Sequence, residues 1–240
     1  MEIVKVVADM QRRSETLRNQ GSRIGLVPTM GYLHEGHASL IRKAKDLSDV
    51  VVTSIFVNPT QFGPEEDFER YPRDFRRDRV IAARSGADIL FCPEPAEMYQ
   101  EGYHTVVEPG PVSEILEGSI RPNHFRGVAT VVAKLLNITK PHVAVFGQKD
   151  AQQAFVIQQM VRDLNFDVQV VVAPIVREQD GLAMSSRNVY LKGDERKNAL
   201  VLSRSLVHAE ERVKAGETSV KRLREEMLKI LSGGNPTNID

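Results

Sequence analysis

Apolar residues follow two alternating rhythms along this chain. Runs rich in Val, Ile and Phe at Ile24–Val27, Val50–Val57, Asp88–Phe91, Val143–Phe146 and Val168–Val172 have the length and β-branched content of buried strands. Between them, Gly36–Leu47, Asp74–Ser85, Phe125–Leu136 and Ala151–Leu164 place apolar side chains three and four apart. Val128, Val131, Val132, Leu135 and Leu136 show the spacing, which lines one face of a helix. Strand, helix, strand order in this rhythm predicts a parallel sheet with helices on both faces. The expected fold class is therefore α/β, a Rossmann-like doubly wound parallel sheet. In such sheets ligands gather outside the carboxyl ends of the strands, where the strand order reverses.

After Pro174 the pattern changes. A polar loop from Arg177 to Asn188 precedes two highly charged helical stretches, Asp194–Lys214 and Thr218–Leu231. A boundary is expected near Val176, with residues 1–176 as the main domain and 177–240 as a small carboxyl-terminal one. The tail from Ser232 to Asp240 is rich in turn residues and is expected to fray. There is no internal repeat and no low-complexity tract.

Composition narrows the functional classes. A chain of 240 residues, 41% of them apolar, can bury one good core beside a small appendage. Lys and Arg total 32, as do Asp and Glu. That balance removes the uniform attraction on which nonspecific nucleic-acid binders and polybasic membrane proteins rely. The apolar runs stop far short of the roughly 18 residues that cross a bilayer. The start, Met1-Glu2-Ile3-Val4-Lys5, lacks the apolar core of a secretory signal. Cys92 is the only cysteine, so no disulfide forms within one chain. Cytoplasmic localisation is expected, with no nucleic-acid or membrane partner.

Two strand exits carry the first candidate chemistry. Val27 leads into Pro28-Thr29-Met30-Gly31-Tyr32-Leu33-His34-Glu35-Gly36-His37, which opens a helix directly after a strand. Free N–H groups and the positive helix end there favour an anion. His34 and His37 lie three apart and can share a helix face, and Gly36 leaves room for a phosphate or a base. A lone histidine there is more often structural; the pair around a glycine favours nucleotide binding. The spacing is not that of zinc peptidases, and no metal ligand is assigned. Val57 leads into Asn58-Pro59-Thr60-Gln61-Phe62-Gly63. Asn58, Gln61 and Gln153 offer amides able to bond a hydroxylated substrate, with loop scaffolding equally plausible for each alone.

Phe146-Gly147-Gln148-Lys149-Asp150 follows another strand. No Walker motif is present, so Lys149 would clamp phosphate by its side chain, against the bland reading of a surface Lys–Asp pair. Met184-Ser185-Ser186-Arg187-Asn188 supplies hydroxyls and a guanidinium suited to phosphate oxygens, with a helix N-cap as the bland alternative. The chain has neither a Gly-x-Ser-x-Gly elbow nor a Gly-x-Gly-x-x-Gly fingerprint. Three readings stay open on these residues: a ligase that activates an acid with ATP, a nucleotidyltransferase that stops at nucleotide transfer, and a nucleotide-sensing module without catalysis.

Taken in order, these segments resemble the pantothenate synthetase family within the nucleotidyltransferases of the His-x-Gly-His type. The resemblance runs from about Val27 to Leu191. It also includes Tyr71-Pro72-Arg73, Leu116-Glu117-Gly118, Arg121-Pro122, His124-Phe125-Arg126-Gly127-Val128 and Asp180-Gly181-Leu182-Ala183. It implies ATP-dependent condensation of pantoate with β-alanine through a pantoyl-adenylate, releasing AMP and pyrophosphate, in a cytoplasmic homodimer. It also implies that Met30, Gly31, Tyr32, Leu33, His34, Glu35, Gly36 and His37 contact ATP, with His37 the proton donor. Gly147, Gln148, Lys149 and Asp150 would hold ribose and phosphate, and Val176 would meet adenine through its backbone. Met184, Ser185, Ser186 and Arg187 would close over the triphosphate. Gln61 and Gln153, with Asn58, would grip pantoate, and Mg²⁺ would be held mainly through the ATP phosphates. Ala151 stands where the family carries an aromatic residue, a change expected to alter packing only. Family members look longer, so 177–240 reads as a shortened lid domain.

Overall fold

Six parallel strands form one sheet: β1 (Glu2–Val4), β2 (Ile24–Thr29), β3 (Val50–Ile55), β4 (Ile89–Phe91), β5 (Val143–Gly147) and β6 (Gln169–Ala173), in the order β1-β4-β3-β2-β5-β6. The computed structural model describes residues 1–236 and divides into two compact units, Met1–Ile175 and Val176–Asp240, with the sheet in the first. β2 pairs with β3 in the register Val27↔Thr53 and with β5 in the register Leu26↔Ala144. The chain moves outward from β2 through β3 to β4, then returns to the other side of β2 with β5. Strand order therefore reverses between β2 and β5, and that is where a ligand crevice forms in this class of sheet.

Helices cover both faces: α1 (Val7–Asn19), α2 (Glu35–Leu47), α3 (Phe75–Ser85), the short α4 (Pro95–Met98) and α5 (Glu117–Ile120), then α6 (His124–Thr139) and α7 (Ala151–Asp163). Strand residues alternate between two cores because successive side chains point to opposite faces. Leu26, Val52, Ile89, Ala144 and Phe146 pack with Met10 and Leu17 of α1, Val128 and Leu135 of α6, and Ile157 of α7. Val27, Val51, Leu90, Val143 and Val145 pack with Leu40, Ile41 and Ala44 of α2 and Ala82 of α3. This arrangement makes the fold a doubly wound α/β sheet, as the alternation of strand and helix patterns predicts.

Several element bounds differ from those read off the sequence. β1 and α1 escape the pattern because only Val4 of β1 is buried and α1 buries only Met10, Ser14 and Leu17. The run ending at Val57 leaves the ladder at Ile55. The first charged stretch of the second unit is two helices, α8 (Gly193–Asn198) and α9 (Leu200–Lys214), followed by α10 (Val220–Ser232). α9 and α10 are tied by His208 and Arg212, which both reach Glu226, at 2.7 and 3.0 Å. The expected frayed tail begins where α10 ends at Ser232, and its last part, 237–240, lies outside the described residues. Among the described residues no helix is long and apolar enough to cross a membrane.

Candidate active site

Because β3, β2 and β5 are neighbours, the segments leaving their carboxyl ends emerge side by side. The segment after β2 turns sharply: Gly31 and Tyr32 both adopt left-handed backbone, with φ of 85° and 48°. Glycine is required at the first position, since a Cβ there would stand 3.0 Å from both Asp78 Oδ2 and Ile55 Cγ2. The turn delivers His34 to the N-cap of α2. Its Nδ1 accepts the Gly36 N–H at 3.1 Å, and the Nδ1 of His37 accepts the His34 N–H at 3.3 Å. The two imidazoles thus close a reciprocal capping box, and their ring centroids stand 4.1 Å apart.

This bonding indicates the tautomer that each ring takes when neutral. A nitrogen that accepts a backbone N–H carries no proton of its own, so each neutral ring bears its proton on Nε2. Burial, then the neighbouring His34 and the Lys149 ammonium, lower the pKa of His37 from 6.5 to about 3. That shift favours the neutral form of His37 near pH 7. A neutral imidazole serves as a hydrogen-bond donor through Nε2–H and is a poor general acid.

Lys149 and Asp150 follow β5 in a single tight turn, Gln148–Asp150, that runs into α7. Their side chains pair at 3.0 Å and remain partly exposed, as the bland reading of this dipeptide had it, yet the ammonium is close enough to act on His37. Gln153 lies in the first turn of α7, half-buried. Ala151, which opens that helix, is exposed.

The segment after β3 is held by its own amides. Asn58, 1% exposed, donates to the Gly127 carbonyl at 3.1 Å and to Gln61 Oε1 at 3.2 Å, and accepts from the Tyr99 hydroxyl at 2.7 Å. Thr60 Oγ1 also bonds its carbonyl oxygen, at 3.0 Å. The Asn58 amide is thus bonded within the protein and braces Gln61. Gln61 points its Nε2 at Met30 Sδ, 3.2 Å away, which joins the β2 and β3 exits. Its backbone carbonyl meets His124 Nδ1 at 2.9 Å, and Arg121 beside it forms a two-point ion pair with Glu66. Arg121 holds the Glu66 carboxyl below its ordinary range. Burial pushes the Cys92 thiol up to about 12, which disfavours its thiolate.

In the second unit, Arg177 and Ala183 form an antiparallel bridge, and the Met184 N–H donates to the Val176 carbonyl at 3.0 Å. Val176 and the Met184–Arg187 segment are thereby brought together within that unit. Ser185 caps the turn Ser186–Tyr190 by accepting the Arg187 N–H at 3.2 Å, so the bland N-cap reading holds for its oxygen.

Sequence reading missed Asp78. This α3 residue is 1% exposed, and its carboxylate accepts the N–H groups of Tyr32 at 2.8 Å and Leu33 at 2.6 Å. The available signal was its register: Asp78, Ala82 and Ser85 lie on the buried face of α3, an unusual place for a charge.

The sheet is of the doubly wound α/β class, with the segments carrying the candidate residues leaving neighbouring strand ends at the β2–β5 reversal. A family model described as Pantoate-beta-alanine ligase matches residues 2–240. The chain belongs to the pantoate–β-alanine ligase family, carbon–nitrogen ligases that form pantothenate. Pantothenate synthetase from Thermotoga petrophila is 56% identical over 240 residues, covering 100% of this chain and 86% of that protein. The enzyme from Acetivibrio thermocellus is 55% identical over 228 residues, 95% of this chain and 81% of that one. Among solved structures, pantothenate synthetase from Thermus thermophilus superposes with a TM-score of 0.91 at 47% identity, covering 97% of this chain and 83% of that chain. Pantoate-beta-alanine ligase from Francisella tularensis, solved with beta-gamma ATP and beta-alanine, gives 0.81 at 38% identity over 96% of this chain and 86% of that one.

Proposed function

We propose that the chain condenses pantoate with β-alanine through a pantoyl-adenylate formed on ATP at the β2–β5 switch point. The carrying observation is the capping box of His34 and His37, which puts the proton of each neutral ring on Nε2 at the mouth of a helix amino terminus. A carboxylate is a poor electrophile with a poor leaving group, and transfer to AMP alters both. An oxygen of pantoate's carboxylate attacks the α-phosphorus, and the bond to the bridging oxygen breaks as pyrophosphate leaves. The Nε2–H groups and the Lys149 ammonium stabilise the charge that develops on the phosphate oxygens. The amine of β-alanine then attacks the acyl carbon, AMP departs, and the nitrogen loses a proton. Exclusion of water keeps the mixed anhydride from hydrolysis.

In this reading Met30–His37 and Gly147–Asp150 hold the nucleotide, and Gln61 and Gln153 hold pantoate. Val176 meets adenine, and Met184, Ser185, Ser186 and Arg187 contact the triphosphate. Among the described residues no group of three or more His, Cys, Asp or Glu side chains could hold a metal ion, and the Asp150 carboxylate faces Lys149. In this proposal Mg²⁺ would be carried mainly by the ATP phosphates, and no step runs through it. Homodimer formation is part of the same proposal. Gln152 bonds the carbonyls of Val112 and Ile115, which draws that segment to α7, where Ile115 and Phe155 are 55% and 52% exposed.

The test is a product assay with ATP, Mg²⁺, pantoate and β-alanine, omitting the acid or the amine in turn. Pantoate-dependent exchange of pyrophosphate into ATP without β-alanine, and joint release of AMP and pantothenate with it, is the expected result. Free AMP excludes a simple nucleotidyltransferase; tight ATP binding without exchange or turnover would favour a binding module and overturn the proposal. Asn58→Ala is expected to raise KM for pantoate at least 10-fold with KM for ATP unchanged, because Gln61 loses its anchor. Each buried partner left unbonded costs about 1–3 kcal/mol of stability, and steady-state kinetics with thermal denaturation checks both effects.

A further inference from the structure

We propose that Asp78 is a positioning residue for catalysis, whose carboxylate fixes the Gly31–Leu33 turn and so aims the imidazoles of His34 and His37. This rests on the assignment of those imidazoles to the nucleotide. Three observations carry it. The carboxylate lies within the protein and gives one oxygen to each of two consecutive N–H groups, Tyr32 at 2.8 Å and Leu33 at 2.6 Å. A carboxylate is the one side chain of that size with two acceptors and no donor, and so it suits a pair of N–H groups.

Second, the turn needs holding. Tyr32 is a bulky residue at φ 48°, a conformation that L-residues avoid and that persists only where its surroundings over-determine it. Gly31 is sealed against Asp78 Oδ2 on one side and Ile55 Cγ2 on the other, each 3.0 Å from where a Cβ would lie. The Arg77 guanidinium, adjacent in α3, sits 4.8 Å from the centre of the Tyr32 ring. One helix thus grips the turn by both the backbone and the side chain of Tyr32.

Third, the turn leads directly to the imidazoles. Leu33, whose N–H is bound, is followed at once by His34, whose ring caps α2 and whose N–H is accepted by His37. A shift of the turn therefore moves both rings. Displacements of about 1 Å at a catalytic group can lower rates on the order of 10²-fold. Burial raises the Asp78 pKa, and the two N–H groups oppose that rise, as expected for a carboxylate used as an internal acceptor.

Asp78→Asn and Asp78→Glu test the idea. Asn keeps the shape but turns an NH₂ group toward an N–H; Glu keeps the charge but moves the oxygens by a methylene. Both are expected to lower kcat for pantothenate formation about 10-fold to 100-fold at saturating substrates, with KM for β-alanine within twofold. Nitrogen NMR should show at least one of the two rings leaving the Nε2–H tautomer. Asp74→Ala is the matched control: it removes the α3 N-cap bond to the Arg77 N–H, 3.0 Å long, and destabilises the same helix without touching the turn. It should lower the thermal midpoint comparably while keeping kcat within twofold.

A kcat for Asp78→Asn or Asp78→Glu within twofold of the parent overturns the proposal, as does an equal kcat loss in Asp74→Ala. Hydrogen exchange on the unaltered protein applies even if the variants fail to fold: the Tyr32 and Leu33 amides must exchange far more slowly than an open loop, and fast exchange rejects the clamp. If the unaltered protein shows no pyrophosphate exchange, the adenylate reading fails while the amide and imidazole readouts still judge Asp78.

Discussion

Replacing His37 by alanine is expected to slow pantothenate formation by about 10²-fold to 10³-fold, the usual loss when one preorganised donor to a developing oxyanion is removed. A loss of this size requires the ring to be a neutral donor. His37 Nδ1 is occupied by the His34 N–H, and burial keeps the ring unprotonated until the pH approaches about 3. Two consequences separate this from acid catalysis by an imidazolium. The pH profiles of kcat for parent and His37→Ala should keep the same shape above pH 5, since no His37 titration falls there. His37→Gln, whose amide N–H can stand near the Nε2 position, should recover part of the rate.

Linkage gives a second readout. In the unfolded chain a histidine binds a proton below about 6.5, whereas folded His37 resists it down to about 3. Between those values the unfolded state binds more protons, so stability falls as pH falls from about 6.5 toward 3. His37→Ala removes this contribution, and chemical denaturation at pH 7 and pH 4.5 should show a smaller stability difference in the variant. A kcat profile in the parent with an acid limb near pH 6.5 that vanishes in His37→Ala would instead assign a titrating acid to His37.

What the sequence made legible was mostly what periodicity encodes. Strands β2 to β6 and the helices over Gly36–Leu47 and Phe125–Leu136 carry dense apolar patterns, and their order was enough to predict a parallel sheet with a ligand edge. β1 was missed because only Val4 of its three residues is buried, and α1 because it buries a serine, Ser14, where a periodic reading expects an apolar side chain. The histidine pair was visible as a motif, but its protonation state was not. That state depends on which backbone N–H each Nδ1 accepts, and this follows from the turn at Gly31 and Tyr32. The bonding of Asn58 and the whole of Asp78 escaped sequence reading for one reason: the partners that hold such an amide or carboxylate lie in segments distant in sequence, Gly127 and Tyr99 for the first, Tyr32 and Leu33 for the second.

That dependence makes Gly127→Ala the most informative change outside the crevice. Gly127 lies in the first turn of α6, where the helix meets the segment after β3 with no room for a side chain. An added Cβ would stand 2.4 Å from the Thr60 carbonyl oxygen and 2.7 Å from the Gln61 nitrogen, both of them backbone atoms that cannot swing aside. The Gly127 carbonyl also receives the Asn58 amide, so any retreat of α6 breaks that bond, and any retreat of the segment carries Gln61 with it. Overpacking of a tight core contact costs about 1–3 kcal/mol, and for a unit of this size each kcal/mol lowers the midpoint by roughly 2–4 °C. The variant should therefore melt several degrees lower and bind pantoate more weakly, while ATP binding, which the proposal assigns to the β2 and β5 exits, stays within about twofold. Calorimetric titration of each ligand checks the split. Equal losses for ATP and pantoate would mean that the disturbance had spread through the whole switch point, and that α6 supports all three strand exits rather than the one carrying Gln61.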